Sequence, residues 1–163
     1  MVEVCIEICR NDAVMPKYAR PGDAGMDVFA AENCIIGPGQ TAVIPTGLKL
    51  AIPEGYEIQV RPRSGLSLKT PLRIANSPGT VDSGYRDELG IIISNQSSAG
   101  DSNPGEIFSL QESKNKNGAY KISKGDRIAQ IVLHAVPRMV FKVVDSVADI
   151  GGDRGGGFGS TGV

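Results

Sequence analysis

The chain has a single histidine, His134, and three cysteines with no C-x-x-C spacing among them. A histidine dyad is therefore excluded, and any imidazole chemistry would rest on His134 alone. That residue lies inside an apolar strand run, Arg127–Val136, with no nucleophile motif beside it, and reads as a structural histidine. Cys5, Cys9 and Cys34 are an odd number, poor material for a zinc site or a disulfide framework. Cys5 and Cys9, on one strand face, would stand about 13 Å apart, beyond the reach of a bridge. Reduced thiols are expected. No apolar run approaches the length of a membrane span. Charge of one sign is also missing. Lys and Arg number 17 against 18 Asp and Glu, for a formal net charge of −1, which argues against binding long nucleic acid, a task that normally needs a basic face. A small anion held by a few local arginines stays open. There is no Walker A loop, no G-x-S-x-G and no H-E-x-x-H. Met1–Cys9 carries acids where a signal peptide carries bases, and the cytosol is the expected location, with the nucleus added for a eukaryotic source.

Helix is scarce as well. Twenty-one glycines and ten prolines leave room for one short helical turn, near Leu66–Lys69. What is abundant is strand. Val2, Val4, Ile6 and Ile8 alternate with polar or small residues, as do Leu48, Leu50 and Ile52, and Tyr56, Ile58 and Val60. Leu89–Ile93 and Arg127–Val136 are more continuously apolar, as strands covered on both faces would be. Turn signals bound these runs at Gly37-Pro-Gly, Pro53-Glu-Gly, Ser77-Pro-Gly and Asn117-Gly. The pattern predicts a single all-β domain, a jelly-roll-like sandwich or barrel, over residues 1–148. Within it, 97–118 reads as a surface excursion, with Glu106–Leu110 and Ala119–Ser123 as the arms of a hairpin.

Residues 149–163 differ from the rest. Seven of these fifteen are glycine, and Arg154, Phe158, Ser160 and Thr161 stand among them. Such a segment has little to bury and much backbone freedom to lose. It does hold a guanidinium suited to phosphate oxygens, glycine N–H groups that can line an anion, and a ring that can stack on a base. A flexible arm that orders over a nucleotide is the expectation, a plain linker the alternative.

Four further segments could carry chemistry. Gly22-Asp-Ala-Gly-Met-Asp-Val28 sets Asp23 and Asp27 around a turn, where paired carboxylates can hold a metal or its waters. Such turns also form for backbone reasons alone. Arg61-Pro-Arg-Ser-Gly65 offers two guanidiniums, a hydroxyl and backbone N–H groups at a bend. Asn76–Glu88 reads as a hairpin with Asp82 and Tyr85 near its tip. Its backbone can face the edge of a base, and Asp82 can act on a water. In Lys124-Gly-Asp-Arg-Ile-Ala-Gln-Ile-Val132, Gln130 shares a strand face with Ile128 and Val132 and needs a partner.

Five motifs in this order resemble the trimeric dUTP pyrophosphatase (dUTPase) family: Ala24–Val28, Pro62–Gly65, Gly79–Tyr85, Gly125–Gln130 and Arg154–Gly162. The departures are mild: Met26 and Val28 replace other apolar residues, Asp87 stands where glycine is frequent, and the stretch before Gly125 is long. The resemblance implies a jelly-roll-like fold, a homotrimer with sites shared between subunits, and magnesium-dependent conversion of dUTP and water to dUMP and diphosphate, which limits uracil in DNA and supplies dUMP for dTMP synthesis. It implies that Asp82 activates the water and that Gln130 lies by the α-phosphate and that water. It implies uracil contacts from Gly79, Thr80, Val81 and the hairpin backbone, with Asn76 and Gly90 assisting and Tyr85 on the deoxyribose. Arg63, Ser64 and Gly65 would hold phosphates, and Asp27 would touch magnesium through water. Arg154, Gly159, Ser160 and Thr161 would close on the phosphates and Phe158 on uracil. The rival readings are a dCTP deaminase of the same fold, which needs an acid–base carboxylate motif at the pyrimidine amino group, a nucleotide-binding signalling module, for which Asp82 would be superfluous, and a structural β-trimer, which leaves the arm unexplained.

Overall fold

The computed structural model describes residues 1–98, 106–111, 115–153 and 155. Twelve strands and one short helix occur among them: β1 (Cys5–Ile8), β2 (Met26–Phe29), β3 (Cys34–Ile36), β4 (Thr41–Pro45), β5 (Leu48–Ala51), β6 (Tyr56–Arg61), α1 (Ser64–Lys69), β7 (Leu72–Ile74), β8 (Gly79–Val81), β9 (Gly90–Asn95), β10 (Ile107–Ser109), β11 (Ala119–Ile122) and β12 (Arg127–Ala135). The strands form four small sheets, ordered β1-β5, β10-β11-β3, β2-β12-β6-β8 and β4-β9-β7. The fold is all-β and jelly-roll-like, as the alternation predicts.

Alternation places the core. In β5, Leu48 and Leu50 are buried while Lys49 and Ala51 are half-buried. In β9, Ile91, Ile93 and Asn95 point inward. Leu50, Ile91 and Ile93 join Val28, Ile44, Leu72, Tyr120, Ile122 and Ile128 in one buried cluster drawn from all four sheets. The β4–β5 turn is held by Gly47, at φ +74°, where an added Cβ would lie 2.5 Å from the Ala13 Cβ. Conformation and space both demand glycine there.

Four expectations are corrected. The arms of the 97–118 excursion are not a hairpin, because β10 and β11 pair in parallel, Ile107 opposite Ala119. Asn95 sets the direction of β11. Its Nδ2 donates to Ile36 O and to Gly118 O, at 2.9 and 2.8 Å, and Ser97 Oγ and Gly118 also bond each other. Gly118 is thereby fixed beside β3, and β11 pairs antiparallel with β3 before β10 adds to its free edge. Second, Asn76–Glu88 is not a paired hairpin. β8 bonds β6, whereas β9 bonds β4 and β7. The segment is a bend that carries the chain from one sheet to another. Third, β12 has a register shift against β2 between Arg127 and Ala129. Such a bulge interrupts side-chain alternation. Ile128 is fully buried, whereas Gln130 and Val132 are half-buried on the site face. Fourth, α1 begins at Ser64, two residues before the expected start.

Val136 N–H donates to Gly55 O at 2.8 Å, the last bond tying the described chain end to the sheets. From 137 to 150 every residue is exposed and outside strand, so the exposed tail begins before residue 149.

Candidate active site

The central strand β6 organises the site. On one edge it pairs with β8, Val60 opposite Gly79; on the other it pairs with β12, Arg61 opposite Gln130.

On the β8 side lies a cavity of about 190 Å³ lined by Val60, Asn76, Gly79, Thr80, Val81, Tyr85, Leu89, Gly90 and Ile92. Six of these were expected to touch a pyrimidine nucleoside. Gly79 leaves the wall of the cavity uncrowded. A Cβ there would lie 3.0 Å from Asn76 Nδ2 and 3.3 Å from Val60 Cβ. Tyr85 is fixed at both ends. Its N–H donates to Asp82 O at 3.1 Å and its hydroxyl to Glu88 O at 2.9 Å. Asp82 follows Val81 on this bend and is exposed, and its carboxylate has no hydrogen-bond or ion-pair partner among the described residues. It is open to water.

On the β12 side the centre is Asp27 of β2. Arg63 Nε donates to its Oδ1 at 2.8 Å, Arg127 NH1 lies 3.4 Å from Oδ2, and Gln130 Nε2 donates to Oδ1 at 3.3 Å. Burial works against the charge of Asp27. The bonds from Arg63 and Gln130 and the two guanidinium charges outweigh it and hold the carboxyl below the usual carboxylate value. Gln130 thus has the partner that its apolar neighbours required. Gly25 lets this cluster close up, since a Cβ there would stand 3.2 Å from Val132 Cγ2.

Two polar pockets flank Asp27. One, of about 400 Å³, is lined by Arg63, Gly65, Lys69, Gly125, Asp126 and Arg127 among others. The other, of about 340 Å³, includes Lys17, Asp23, Gly25, Asp27, Arg61 and Gln130. Helix α1 begins beside Arg63 with no side-chain cap and no acidic residue in its first turn. The Ser64–Gly65 corner keeps its positive character. Arrays of guanidinium, amide and backbone N–H groups are suited to phosphate oxygens. Neither polar pocket shares a lining residue with the β8-side cavity. Arg154, Phe158, Gly159, Ser160 and Thr161 lie outside the described residues.

A family model, dUTPase, matches residues 11–100, more than half of the chain. A deoxyuridine 5'-triphosphate nucleotidohydrolase of Alkaliphilus metalliredigens is 39% identical over 163 residues, all of this chain and 99% of the relative. That of Clostridium tetani is 42% identical, over 96% of this chain and 94% of its own. The chain belongs to the dUTPase family. It is an enzyme of that family. Among solved structures, the dUTPase of Staphylococcus bacteriophage 80alpha with dUPNHPP superposes with a TM-score of 0.89 at 34% identity, over 99% of both chains. A mutant dUTPase of phage phi11 of S. aureus, described with a coordinated structural Mg(II) ion, gives 0.79 at 32%, over 88% of this chain and 97% of that one.

Among the described residues no three His, Cys, Asp or Glu side chains gather as a metal site. Asp23 Oδ2 accepts from Arg20 N–H instead of joining Asp27. Both oxygens of Asp27 already face cationic or amide donors. The donor set fits magnesium only as an ion carried on phosphates within its own waters, the usual habit of Mg²⁺ in nucleotide sites. Arg127 was missed as a site residue. Its signal was its place inside the Gly125–Gln130 motif, but the register shift that turns it toward Asp27 leaves no mark on hydrophobic spacing. His134, read as a structural histidine, lies opposite Glu57 of β6, with Nδ1 3.8 Å from Oε1.

Proposed function

We propose that this dUTPase-family chain hydrolyses dUTP to dUMP and diphosphate by attack of a water activated by Asp82 on the α-phosphorus. The observation that carries the reading is the β8-side cavity, where Asn76, Gly79, Thr80, Val81, Tyr85 and Gly90 converge beside the exposed Asp82 carboxylate, which has no partner among the described residues. The water oxygen forms a bond to the α-phosphorus as its proton passes to Asp82. The bond from that phosphorus to the oxygen bridging to the β-phosphate breaks, and diphosphate departs with the electron pair. A carboxylate is a weak base near neutrality, so most of the acceleration must come from holding water and phosphates in line.

Backbone groups of Gly79, Thr80 and Val81 would read the uracil edge, with Asn76 and Gly90 beside them, and Tyr85 would pack on the deoxyribose. Arg63, Ser64 and Gly65 would hold phosphates. Gln130 would steady the α-phosphate and the attacking water. Magnesium bound to the triphosphate would neutralise phosphate charge, and Asp27 would reach a water of its shell. Arg154, Gly159, Ser160 and Thr161 would close on the outer phosphates and Phe158 on the base, excluding bulk water.

The reading includes a homotrimer with shared sites. In one protomer the base cavity and the phosphate pockets have no lining residue in common, and a neighbour would complete each site. Unburied apolar surface supports assembly: Val43 is 64% exposed, and Phe141 and Val143 in the tail are 86% and 96% exposed. The test is diphosphate release from dUTP, dTTP, dCTP and UTP, with and without magnesium. Release from dUTP far above the others, and dependent on magnesium, is expected. Ammonia release from dCTP without diphosphate, or binding without turnover, overturns the reading.

A further inference from the structure

The β1 end and the Asp82–Leu89 bend are joined by a cluster that the reading above does not use. Arg10 follows β1 and is fixed by the Cys9 N–H bond to Gly47 O at 2.9 Å. Its Nε donates to Glu88 Oε1 at 2.7 Å and its NH1 to Glu32 Oε2 at 3.2 Å. The same Glu88 oxygen accepts the Gly47 N–H at 2.7 Å. The next residue, Leu89, exchanges backbone bonds with Leu48 and Thr46, and Thr46 Oγ1 donates to Leu89 O at 2.7 Å. Glu88 and Leu89 are thus held to the β4–β5 turn by side chain and backbone together. The carbonyl of Glu88 accepts the Tyr85 hydroxyl.

We propose that the Arg10–Glu88 pair positions the Tyr85 ring over the nucleoside cavity, and that Glu88 is a positioning residue for sugar selectivity. The proposal rests on Tyr85 being the ring against the deoxyribose. A bend between two sheets has no ladder of its own to hold it. Among the described residues the Tyr85 N–H and hydroxyl go to Asp82 O and Glu88 O, and its carbonyl accepts from the adjacent Arg86 guanidinium at 2.8 Å, a contact that does not reach the ring. The bond to Asp82 O lies within the same turn. The bond to Glu88 O depends on Glu88, so the ring is only as fixed as that residue. Selection against a 2′-hydroxyl by steric exclusion requires a wall that does not yield. A side chain acceptor taking both a guanidinium and a backbone N–H makes charge-assisted bonds of the stronger kind. Gly90, next along the chain, lines both the nucleoside cavity and the pocket containing Arg10, Glu32 and Glu88, so the clamp lies directly behind the cavity wall.

The test uses the full-length chain. For the wild type, Glu88→Ala, Glu88→Gln, Arg10→Gln, Tyr85→Ala and the Glu88→Ala/Tyr85→Ala double variant, kcat/KM is measured on dUTP and on UTP, with Tm alongside. In Glu88→Ala the dUTP-to-UTP ratio should fall about tenfold, inside the ~10²-fold that a small misplacement can cost. Glu88→Gln, which keeps an oxygen for Gly47 and Arg10, should restore most of the ratio. The double variant should lose no more than Tyr85→Ala alone. A lowered Tm with an unchanged ratio in Glu88→Ala makes the pair a plain stabiliser and overturns the proposal, as does a further loss in the double variant. If Glu88→Ala does not fold, Arg10→Gln reads the clamp from its other side, and an unchanged ratio there overturns it equally. If Tyr85→Ala itself leaves the ratio unchanged, the sugar-contact reading fails and this inference with it. A changed ratio in Tyr85→Ala but not in Glu88→Ala sinks only the clamp.

Discussion

Arg63 and Asp27, 36 positions apart in the chain, meet with Nε 2.8 Å from Oδ1. The pair joins the helix-opening corner to strand β2 and sits at the junction of both polar pockets. Asp27 thus supplies a counter-ion to the guanidinium proposed above to hold phosphate.

The charge of Asp27 is favoured in the folded state, so stability should follow its titration. Its carboxyl is held below the ordinary 3.8. A depressed value means that the group stabilises the fold above its unfolded pKa, and the contribution is lost as pH falls through the folded one. In Asp27→Asn, Tm near neutrality should drop. The part of the acid-induced fall in Tm that begins below about pH 4 should shrink relative to wild type. Parallel Tm-against-pH curves for the two proteins would show that Asp27 carries no such linkage.

Asp82→Asn should fold, bind dUTP and turn it over about 10²–10⁴-fold more slowly, the usual worth of general-base assistance. The carboxylate is exposed and has no partner among the described residues, so its loss should leave Tm unchanged. Near-wild-type kcat would remove Asp82 from the role.

Strands β1, β5, β6, β9 and β12, the short helix and six residues that line the β8-side cavity were legible because each leaves a local mark. Period-2 alternation marks β5 and β6, and the glycine, proline and aspartate turns mark their ends. Three features were not legible. The parallel β10–β11 pairing depends on Asn95, which looks from sequence like any polar strand end. The bulge at Arg127–Ala129 depends on what β2 offers across the ladder. The convergence of Arg63, Arg127 and Gln130 on Asp27 joins three distant segments with no shared periodicity. Each is set by a partner far along the chain, which local spacing does not encode.

Asn95 supplies a stability test of that point. It is 1% exposed, donates twice, and accepts the Ser97 N–H at 3.0 Å on Oδ1. Asn95→Ala would take a donor from Ile36 O and one of two donors from Gly118 O, which keeps the Ser97 hydroxyl, and would leave the Ser97 N–H without its acceptor. A loss of roughly 2–4 kcal/mol is expected from unpaired buried groups of this kind. Denaturant midpoints measure it, and a loss below about 0.5 kcal/mol, the range of ordinary surface substitutions, would mean that the 106–122 region is not pinned through this side chain.

Residues 137–150 leave the sheets with their side chains exposed, and 149–163 bring seven glycines with one arginine and one phenylalanine. Such a segment contributes little apolar burial to its own domain. Ending the chain before Asp149 should therefore leave Tm unchanged while dUTP turnover falls sharply. Phe158→Ala should give a smaller loss of the same kind, bounded by the ~1–3 kcal/mol worth of stacking on a base. If the arm acts on a neighbour's site, an active centre needs Asp82 from one chain and the arm from another. Asp82→Asn chains and chains ending before Asp149 should each be nearly inactive alone. After unfolding and refolding together they should regain part of the activity, because some mixed trimers then combine an intact Asp82 with an intact arm at one site. Sedimentation equilibrium should give three times the chain mass for each preparation. A monomer mass at micromolar concentration, or mixtures no more active than their parts, would place the whole site within one chain.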